Sequence, residues 1–382
     1  MTKKRILLVG NGNHQFITNY VLWLKKSTNN NFIVDIISYT HIKDENRNHY
    51  NAIFRINDNN FLYQIISKIK GFRRYYRFYL YKKLISKLPE YDSIHFHFIA
   101  VDSYYLVKQF RKNTKSKIIL SIWGSDMYRV SSANAEGFFE TCQKADVLTF
   151  TNEKSIDYFK TQHNWEKDNL KLCRFGLAPL ENLKQLSLTR EECKKQLKWN
   201  PKKRAVTVGY NLSMAQQHLE ILNQFDNDKI KKLVDKIHLI LPITYGGTPK
   251  YKNQLLKKLK QLPFEYTIYD TFLADEKVAQ IRQASDIMIQ LQLTDQFSGS
   301  MQEHLFARNV VITGSWLPYE TMKEHGAKFI MINTIEELVD LIPKILKKYE
   351  SFKSQTINNP KIILELSSWE KNIMDWIKLY NN

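Results

Sequence analysis

Cysteine and long apolar runs are both scarce in this sequence, and each scarcity excludes a class of protein. The 382 residues include 3 cysteines, which lie far apart without the spacing of metal ligands. They indicate reduced thiols, and they argue against a disulfide framework or a zinc site. No apolar stretch approaches the ~20 residues that a membrane-spanning helix needs. The run from Ile6 to Val9 is too short for a secretory signal and is typical of a first strand.

Acidic residues are also few relative to basic ones. The chain has 38 Asp and Glu against 57 Lys and Arg, which gives a formal net charge of +19. This balance predicts an anionic partner, such as nucleic acid, a membrane face or a phosphorylated substrate. Because hydrophobic residues make up 43% of the chain, the protein is globular, and its length predicts two domains with sizeable cores.

Strand and helix patterns alternate along the chain. A strand over 5–10, a helix over 15–26 and a strand over 32–38 predict the start of a doubly wound α/β sheet. A charged stretch at 179–201 separates this half from a second series of strands and helices. We therefore predict an N-terminal Rossmann-like domain (1–178), a linker (179–201), a C-terminal Rossmann-like domain (202–360) and a last segment (361–382) that packs back toward the first domain.

The turn after the first strand, Gly10-Asn-Gly12, is a weak nucleotide signal because it lacks the third glycine of the dinucleotide fingerprint. It is compatible with a turn that simply requires small residues. It is also compatible with a close approach of donor or acceptor to the backbone at Gly12.

Residues 59–88 interleave basic and aromatic side chains, and the stretch from Ser67 to Lys87 contains no acidic residue. One interpretation is an ordinary solvated helix face. Another is an interfacial segment, with Arg73, Arg74 and Arg77 toward anionic headgroups and the rings in the boundary layer. Nucleic-acid binding by stacking is a third, but no RNA-binding signature accompanies it.

Two strand ends of the first half carry polar side chains. His95 and His97 share one face of a strand, where they either bond neighbouring backbone or, in the case of His97, line a cleft. The next strand runs into Trp123-Gly-Ser-Asp126-Met-Tyr-Arg129. Asp126 is a candidate general base or a helix cap, and Arg129 is a candidate phosphate ligand.

The second half has two comparable turns. Asn211, Ser213 and His218 follow its first strand, near a helix start that suits phosphate or sugar. Capping is the alternative for Asn211 and Ser213. Further on, an apolar strand should end near Thr294, with a helix from about Ser300. Asp295 and Glu303 flank this turn, and a helix N-terminus suits a diphosphate.

These residues resemble a known family. Asp295-x7-Glu303, followed by Ala-Arg-Asn-Val-Val-Ile-Thr-Gly, is similar to the E-x7-E element of GT-B glycosyltransferases. In this comparison Asp295 takes the place of the first Glu, and Gln296 and Ser298 take the places of two glycines. Phe297 and Glu303 are identical to the family pattern. The Trp-Gly-Ser-Asp turn resembles a second GT-B group, that of the enterobacterial common antigen fucosamine transferase.

The resemblance implies two Rossmann-like domains facing a cleft, and transfer of a sugar from a nucleotide donor, with a UDP-sugar favoured. Glu303 would bind the ribose and Asp295 the donor sugar or diphosphate. The N–H groups of Ser298, Gly299 and Ser300 would meet phosphate, with Asn211, Ser213 and His218 opposite. Gly12, Trp123, Arg129, His97 and Asp126 would serve the acceptor, which is lipid-linked or a saccharide.

The resemblance also implies an activity without a cofactor or metal, since helix dipoles and side chains can neutralise the leaving diphosphate. The E-x7-E element slightly favours retention of configuration, and an inverting enzyme would need Asp126 or His97 as base. We expect a cytoplasmic protein, peripheral on the inner face of the plasma membrane and acting in surface polysaccharide synthesis, with no nucleic acid as partner. The alternatives are a GT-B nucleotide-sugar epimerase and a non-catalytic membrane or nucleic-acid binding protein.

Overall fold

The structure is a computed structural model, and it describes residues 3–56, 63, 68–69 and 72–381. Within the basic aromatic segment, residues 59–62, 64–67 and 70–71 lie outside this description. The chain forms two compact units. The first contains Met1–Gly176 and Trp369–Asn382, and the second contains Leu177–Ser368.

The first unit alternates strands and helices. In chain order its elements are β1 (Lys4–Gly10), α1 (Gln15–Ser27), β2 (Phe32–Ser38), α2 (Asp44–Arg47), β3 (Ile53–Phe54), α3 (Phe72–Ile85), β4 (Ser93–His97), α4 (Val101–Asn113), β5 (Lys117–Ser121), α5 (Ser125–Tyr128), α6 (Ser132–Gln143), β6 (Val147–Phe150), α7 (Glu153–His163) and β7 (Leu170–Leu172). Over the described residues the strand order is β3-β2-β1-β4-β5-β6-β7.

The second unit repeats this plan. Its elements are α8 (Pro179–Gln185), α9 (Arg190–Gln196), β8 (Arg204–Val208), α10 (His218–Phe225), α11 (Asp228–Lys231), β9 (Ile237–Pro242), α12 (Pro249–Gln261), β10 (Glu265–Tyr269), α13 (Asp275–Ala284), β11 (Ile287–Gln290), α14 (Gly299–Phe306), β12 (Val310–Gly314), α15 (Glu320–Glu324), β13 (Ile330–Ile332), α16 (Leu338–Lys347), α17 (Tyr349–Gln355) and α18 (Asn359–Ser367). The strand order is β10-β9-β8-β11-β12-β13.

All strand pairs described in both sheets are parallel. Parallel sheets are usually covered by other elements on both faces. In β1, successive side chains point to opposite faces, so Ile6 and Leu8 pack into one apolar cluster while Leu7 and Val9 pack into another. The prediction of a doubly wound α/β fold is therefore confirmed. No helix among the described residues is both long and apolar enough to cross a bilayer.

The last helix, α19 (Trp369–Asn381), belongs to the first unit. Trp369 packs directly over Gly176, where an added Cβ would lie 2.2 Å from the indole. The Trp376 Nε1 donates to the Arg174 carbonyl at 2.8 Å. Within the predicted last segment (361–382), the chain breaks at Ser368 between α18 and α19, because serine favours the helix cap over the helix interior.

The charged stretch at 179–201, expected to be a linker, folds within the second unit. Its helices α8 and α9 both pack on α13. Arg190 and Lys194 of α9 are buried against Asp286. Part of this charged stretch therefore lies inside the protein and is not exposed to solvent. The second unit also retains 361–368, and the chain re-enters the first unit at Trp369.

Candidate functional site

The predicted donor residues lie in the second unit, at the carboxyl edge of its sheet. β11 ends at Gln290, earlier than the expected Thr294. The chain leaves the sheet there because Leu293 N–H donates to the Ala215 carbonyl and Gln217 Nε2 donates to the Leu291 carbonyl. The loop that follows leads into α14.

Three predicted phosphate-binding residues form the start of α14. The Ser298 hydroxyl caps the helix by accepting from the Met301 N–H at 3.2 Å, and Gly299 is the first helical residue. The Ser300 Oγ is buried and has no hydrogen-bond partner among the residues that the structure describes. A buried hydroxyl without a partner is costly to a fold. Ser300 and the helix N-terminus thus offer hydrogen-bonding capacity that an anionic ligand would use.

Glu303, one turn into α14, forms a buried ion pair. Its Oε2 accepts from Arg282 Nε at 2.8 Å, and the exposed fraction of each residue is 7%. Burial raises the pKa of Glu303, and the Arg282 charge opposes that shift only in part. Sequence reasoning missed Arg282, because nothing local distinguishes the last basic residue of an amphipathic helix from a solvated one.

Asp295 is held from both sides. Its Oδ1 accepts from the Gln296 N–H at 2.8 Å, and its Oδ2 accepts from the Tyr319 hydroxyl. Burial, and then the Asp295 charge, raises the pKa of Tyr319 well above its usual value, so this phenol is a constant donor. Tyr319, on the loop after β12, was not predicted as a site residue from the sequence either.

The Tyr245 phenol responds electrostatically to Asn211 and to both carboxylates. Shielding from water raises the pKa of Tyr245, a hydrogen bond with Asn211 lowers it, and the charges of Glu303 and Asp295 raise it further. Asn211 Oδ1 also accepts from the Ser213 N–H at 2.9 Å. Asn211, Asp295 and Glu303 therefore all influence the pKa of this one phenol.

The other two predicted residues of that loop have structural roles. The Ser213 hydroxyl caps a 3-10 turn by accepting from the Ala215 N–H. His218 is fully buried, with Nδ1 facing the Tyr251 hydroxyl at 3.3 Å and Nε2 next to Gly209. Burial lowers the pKa of His218 to about 4, so the ring is neutral and brings no charge to a diphosphate.

The strand-end histidines of the first unit lie side by side, with ring centroids 4.1 Å apart. Among the described residues, neither imidazole forms a hydrogen bond with the neighbouring backbone. His95 instead contacts the Tyr380 hydroxyl at 2.5 Å and the Ser121 hydroxyl at 2.6 Å. Both ring nitrogens of His97 are buried, and neither has a hydrogen-bond partner in the described part of the chain. Burial, and then the His14 charge, lowers the pKa of His97 to about 3, so it is a neutral imidazole.

Asp126 joins two loops of the first unit. Its Oδ2 accepts from the Ile99 N–H and its Oδ1 from the Trp123 N–H, both at 2.9 Å. It does not cap α5, the helix in which it lies. Burial raises the pKa of Asp126 to about 6, against the opposing effect of its backbone hydrogen bonds. A carboxyl group with that pKa is suited to proton transfer near neutral pH.

The remaining cleft candidates differ in environment. The Trp123 ring packs edge-on against His14, with centroids 4.6 Å apart, and Arg129 is exposed. At Gly12 an added Cβ would lie 2.5 Å from Ile42 Cδ1. The chain itself fills that space, so packing alone accounts for the glycine, and the approach of a ligand to the backbone at Gly12 stays a prediction.

Helix α3 carries the three arginines predicted to meet a membrane, and they divide into two kinds. Arg77 forms an ion pair with Asp102 and lies over the Tyr81 ring, 5.9 Å from its centroid, so it faces the protein. Arg73 and Arg74 are exposed. The exposed fractions of neighbouring rings are high: Phe72 62%, Tyr75 75% and Tyr79 57%.

Within the described part of the chain, no group of three or more His, Cys, Asp or Glu side chains is placed to hold a metal ion. The three cysteines are buried free thiols, as expected from their scatter.

Comparison with known proteins agrees with this architecture. Residues 5–158, less than half of the chain, match the family model described as "Glycosyl transferase 4-like". No curated protein was found to match the sequence. Among solved structures, a glycosyltransferase from Rickettsia africae superposes with a TM-score of 0.74 at 15% identity, covering 100% of this chain and 98% of that one.

Two further neighbours each align with 99% of this chain, with a TM-score of 0.74 and 14% identity, and the alignments cover 99% of the first and 98% of the second. They are HepE of Anabaena, solved with UDP and glucose, and a sucrose-phosphate synthase from Thermosynechococcus elongatus. The likeness to the E-x7-E group and to the fucosamine transferase stays a prediction. The chain has the α/β GT-B fold of glycosyltransferases, with a glycosyl transferase 4-like match within its first unit.

Proposed function

We propose that the protein is a glycosyltransferase that moves a sugar from a UDP-sugar to a lipid-linked or saccharide acceptor in the synthesis of cell-surface polysaccharide. The observation that carries the proposal is the arrangement around α14. An ion-paired Glu303 and a hydrogen-bonded Asp295 share this edge with a capped helix start and the unpartnered Ser300 hydroxyl.

Each group has a role that its chemistry suits. Glu303, held by Arg282, accepts the ribose hydroxyls. The first N–H groups of α14 and the Ser300 hydroxyl receive the diphosphate, and Asp295 with Asn211 receives donor hydroxyls. UDP as the nucleotide is supported by neighbours of the same fold that were solved with UDP and with UDP-glucose.

In the transfer step, the acceptor hydroxyl oxygen forms a bond to the anomeric carbon, and the bond from that carbon to the phosphate oxygen breaks. The electron pair leaves with the diphosphate, whose charge α14 stabilises without a resident metal. In a retaining enzyme the donor phosphate takes the hydroxyl proton, and we favour this course. In an inverting enzyme Asp126 is the base, with His97 as its alternative. Asp126 acts as a base only when it is ionised, so the transfer rate should rise with pH through about 6. This pH dependence should be absent in Asp126→Asn.

A thermal-shift panel with UDP, GDP and dTDP tests the donor site. A nucleotide at ~100 times its Kd stabilises a protein by about 2.7 kcal/mol. We expect UDP to stabilise the wild type and to lose that effect in Glu303→Ala and Asp295→Ala. An unchanged UDP shift in both variants would show that the site is elsewhere. Turnover of UDP-sugar to an epimer with no acceptor present would favour the epimerase alternative.

We also propose that the protein is cytoplasmic and binds the inner face of the plasma membrane through α3. Phe72, Tyr75 and Tyr79 follow the i, i+3, i+7 spacing of one helix face. Exposed rings beside Arg73 and Arg74 suit an anionic interface.

Flotation with phosphatidylglycerol vesicles tests this surface. Arg73→Gln with Arg74→Gln should weaken binding while transfer to a soluble acceptor survives. The charge-matched control, Lys202→Gln with Lys260→Gln, alters exposed lysines of the second unit and should bind as the wild type does. Equal binding of both double variants would refute the assignment to α3.

A further inference from the structure

The loop after β12 presents an exposed tryptophan in a fixed orientation. Trp316 donates its Nε1–H to the Gln292 carbonyl at 2.8 Å. Its ring lies against Gly314, where an added Cβ would be 2.4 Å from the indole carbons. The exposed fraction of Trp316 is nevertheless 40%. Because the indole is already held in one orientation, it loses little conformational entropy when a ligand stacks on it.

A surface pocket of about 360 Å³ adjoins this indole. That volume is at the small end of the ~300–1,000 Å³ of small-molecule sites. Leu293 and Ile335 extend the apolar surface, and Gln217, Asn333 and Glu336 supply polar groups. Leu293 itself is 57% exposed.

The charge of the lining restricts the ligand. Among the described residues that line the pocket, none is a lysine or an arginine, and one is a glutamate. In a chain of net charge +19, a pocket without a basic side chain is unsuited to phosphate or to a nucleotide. The ligand it suits is neutral, with an apolar face for the indole and hydroxyl groups for the amides and the carboxylate.

We propose that this pocket is a binding site for a neutral saccharide, in which a sugar ring stacks its C–H face on Trp316 and its hydroxyls bond Gln217, Asn333 and Glu336. The site is additional to the nucleotide site around Glu303. The two share a loop, because Tyr319, which holds Asp295, lies three residues beyond Trp316. The sugar that occupies it is part of a saccharide acceptor or product.

Saturation-transfer-difference NMR with maltotriose, cellotriose and triacetylchitotriose tests this proposal. We expect transfer to the ring protons of at least one trisaccharide in the wild type. Trp316→Ala should weaken that binding by about tenfold, the scale of losing a stacked aromatic platform, and Trp316→Phe should retain part of it. Tyr266→Ala, which truncates an exposed ring of β10, is the matched control and should have no effect.

Asn333→Ala is a second, exposed variant in case Trp316→Ala does not fold, and it should also weaken binding. The proposal is overturned if no trisaccharide shows transfer in the wild type, or if the signals are equal in the Trp316 and Tyr266 variants. Competition of the signal by inorganic phosphate would also overturn it. UDP signals recorded in the same samples report on the Glu303 site, so failure of the saccharide site and failure of the donor site are distinguishable.

Discussion

Asp286 and Glu303 are both buried carboxylates of the second unit, and they lie at opposite edges of one sheet. Asp286, just before β11, meets Lys194 at 2.5 Å, Arg204 at 3.3 Å and Arg190 at 3.4 Å. Burial raises its pKa, but these cations outweigh burial, and the pKa is lowered overall. Glu303 has one cation beside it, and its pKa is raised.

The difference separates a carboxylate that serves the fold from one that can serve a ligand. Asp286 also accepts from the Ala205 N–H at 2.9 Å and from the Tyr349 hydroxyl at 3.0 Å, so its acceptor capacity is filled. At the carboxyl edge, buried polar atoms of Gln290 and Ser300 have no hydrogen-bond partner within the described ranges of the chain. Unfilled hydrogen-bonding capacity beside a weakly compensated carboxylate indicates a binding site.

The largest effect should come from Asp286→Asn. Removing the charge leaves buried Arg190 and Lys194 without an anion, which costs about 3–5 kcal/mol of unfolding free energy. Urea denaturation measures it. UDP affinity of the folded variant, measured at low temperature, should be unchanged. A loss of stability below ~1 kcal/mol would contradict the structural role of Asp286.

Glu303→Gln should cost less stability, about 1–3 kcal/mol, because one cation loses its partner. The same urea denaturation compares it directly with Asp286→Asn. If Glu303→Gln were the more destabilising of the two, the distinction between the two carboxylates would be wrong.

Arg282→Gln should make UDP binding depend on pH. Glu303 accepts ribose hydroxyls as a carboxylate, so affinity is present above its folded pKa and is lost as pH falls through it. Removing Arg282 raises that pKa further, and the loss should begin at a higher pH than in the wild type. Calorimetric titrations of UDP between about pH 5 and pH 8 measure the shift. Arg282→Lys keeps the charge and is the control; identical pH profiles for all three proteins would exclude this role.

Tyr319→Phe should have the smallest effect. It removes one hydroxyl that donates to Asp295, and the net contribution of a single hydrogen bond is about 0.5–1.5 kcal/mol. We expect a several-fold rise in KM for the donor with little change in melting temperature. A large drop in melting temperature with an unchanged KM would mean that Tyr319 acts only in packing.

The sequence predicted the regular elements well because their signals are local. The strand over 32–38 and the alternation of strands and helices follow from apolar runs between turns. The strand order in each sheet then follows the doubly wound plan.

Residues whose roles depend on distant partners were not predictable. Arg282 pairs with Glu303 across 21 positions, and Lys194 pairs with Asp286 across 92. Neither pairing leaves a local pattern, so Lys194 was assigned to a linker. The sequence likewise does not show that Ile42 packs against Gly12 and leaves no room for a side chain there.

Calorimetric titration of UDP into the wild type, Glu303→Gln and Lys202→Gln tests the central claim most directly. We expect Glu303→Gln to weaken UDP binding by about tenfold or more, the loss of ~1.4 kcal/mol or more from a charged acceptor. Lys202→Gln, an exposed change in the same unit, should match the wild type. Equal UDP affinity in all three proteins would contradict the assignment of the nucleotide site to the carboxyl edge of the second sheet.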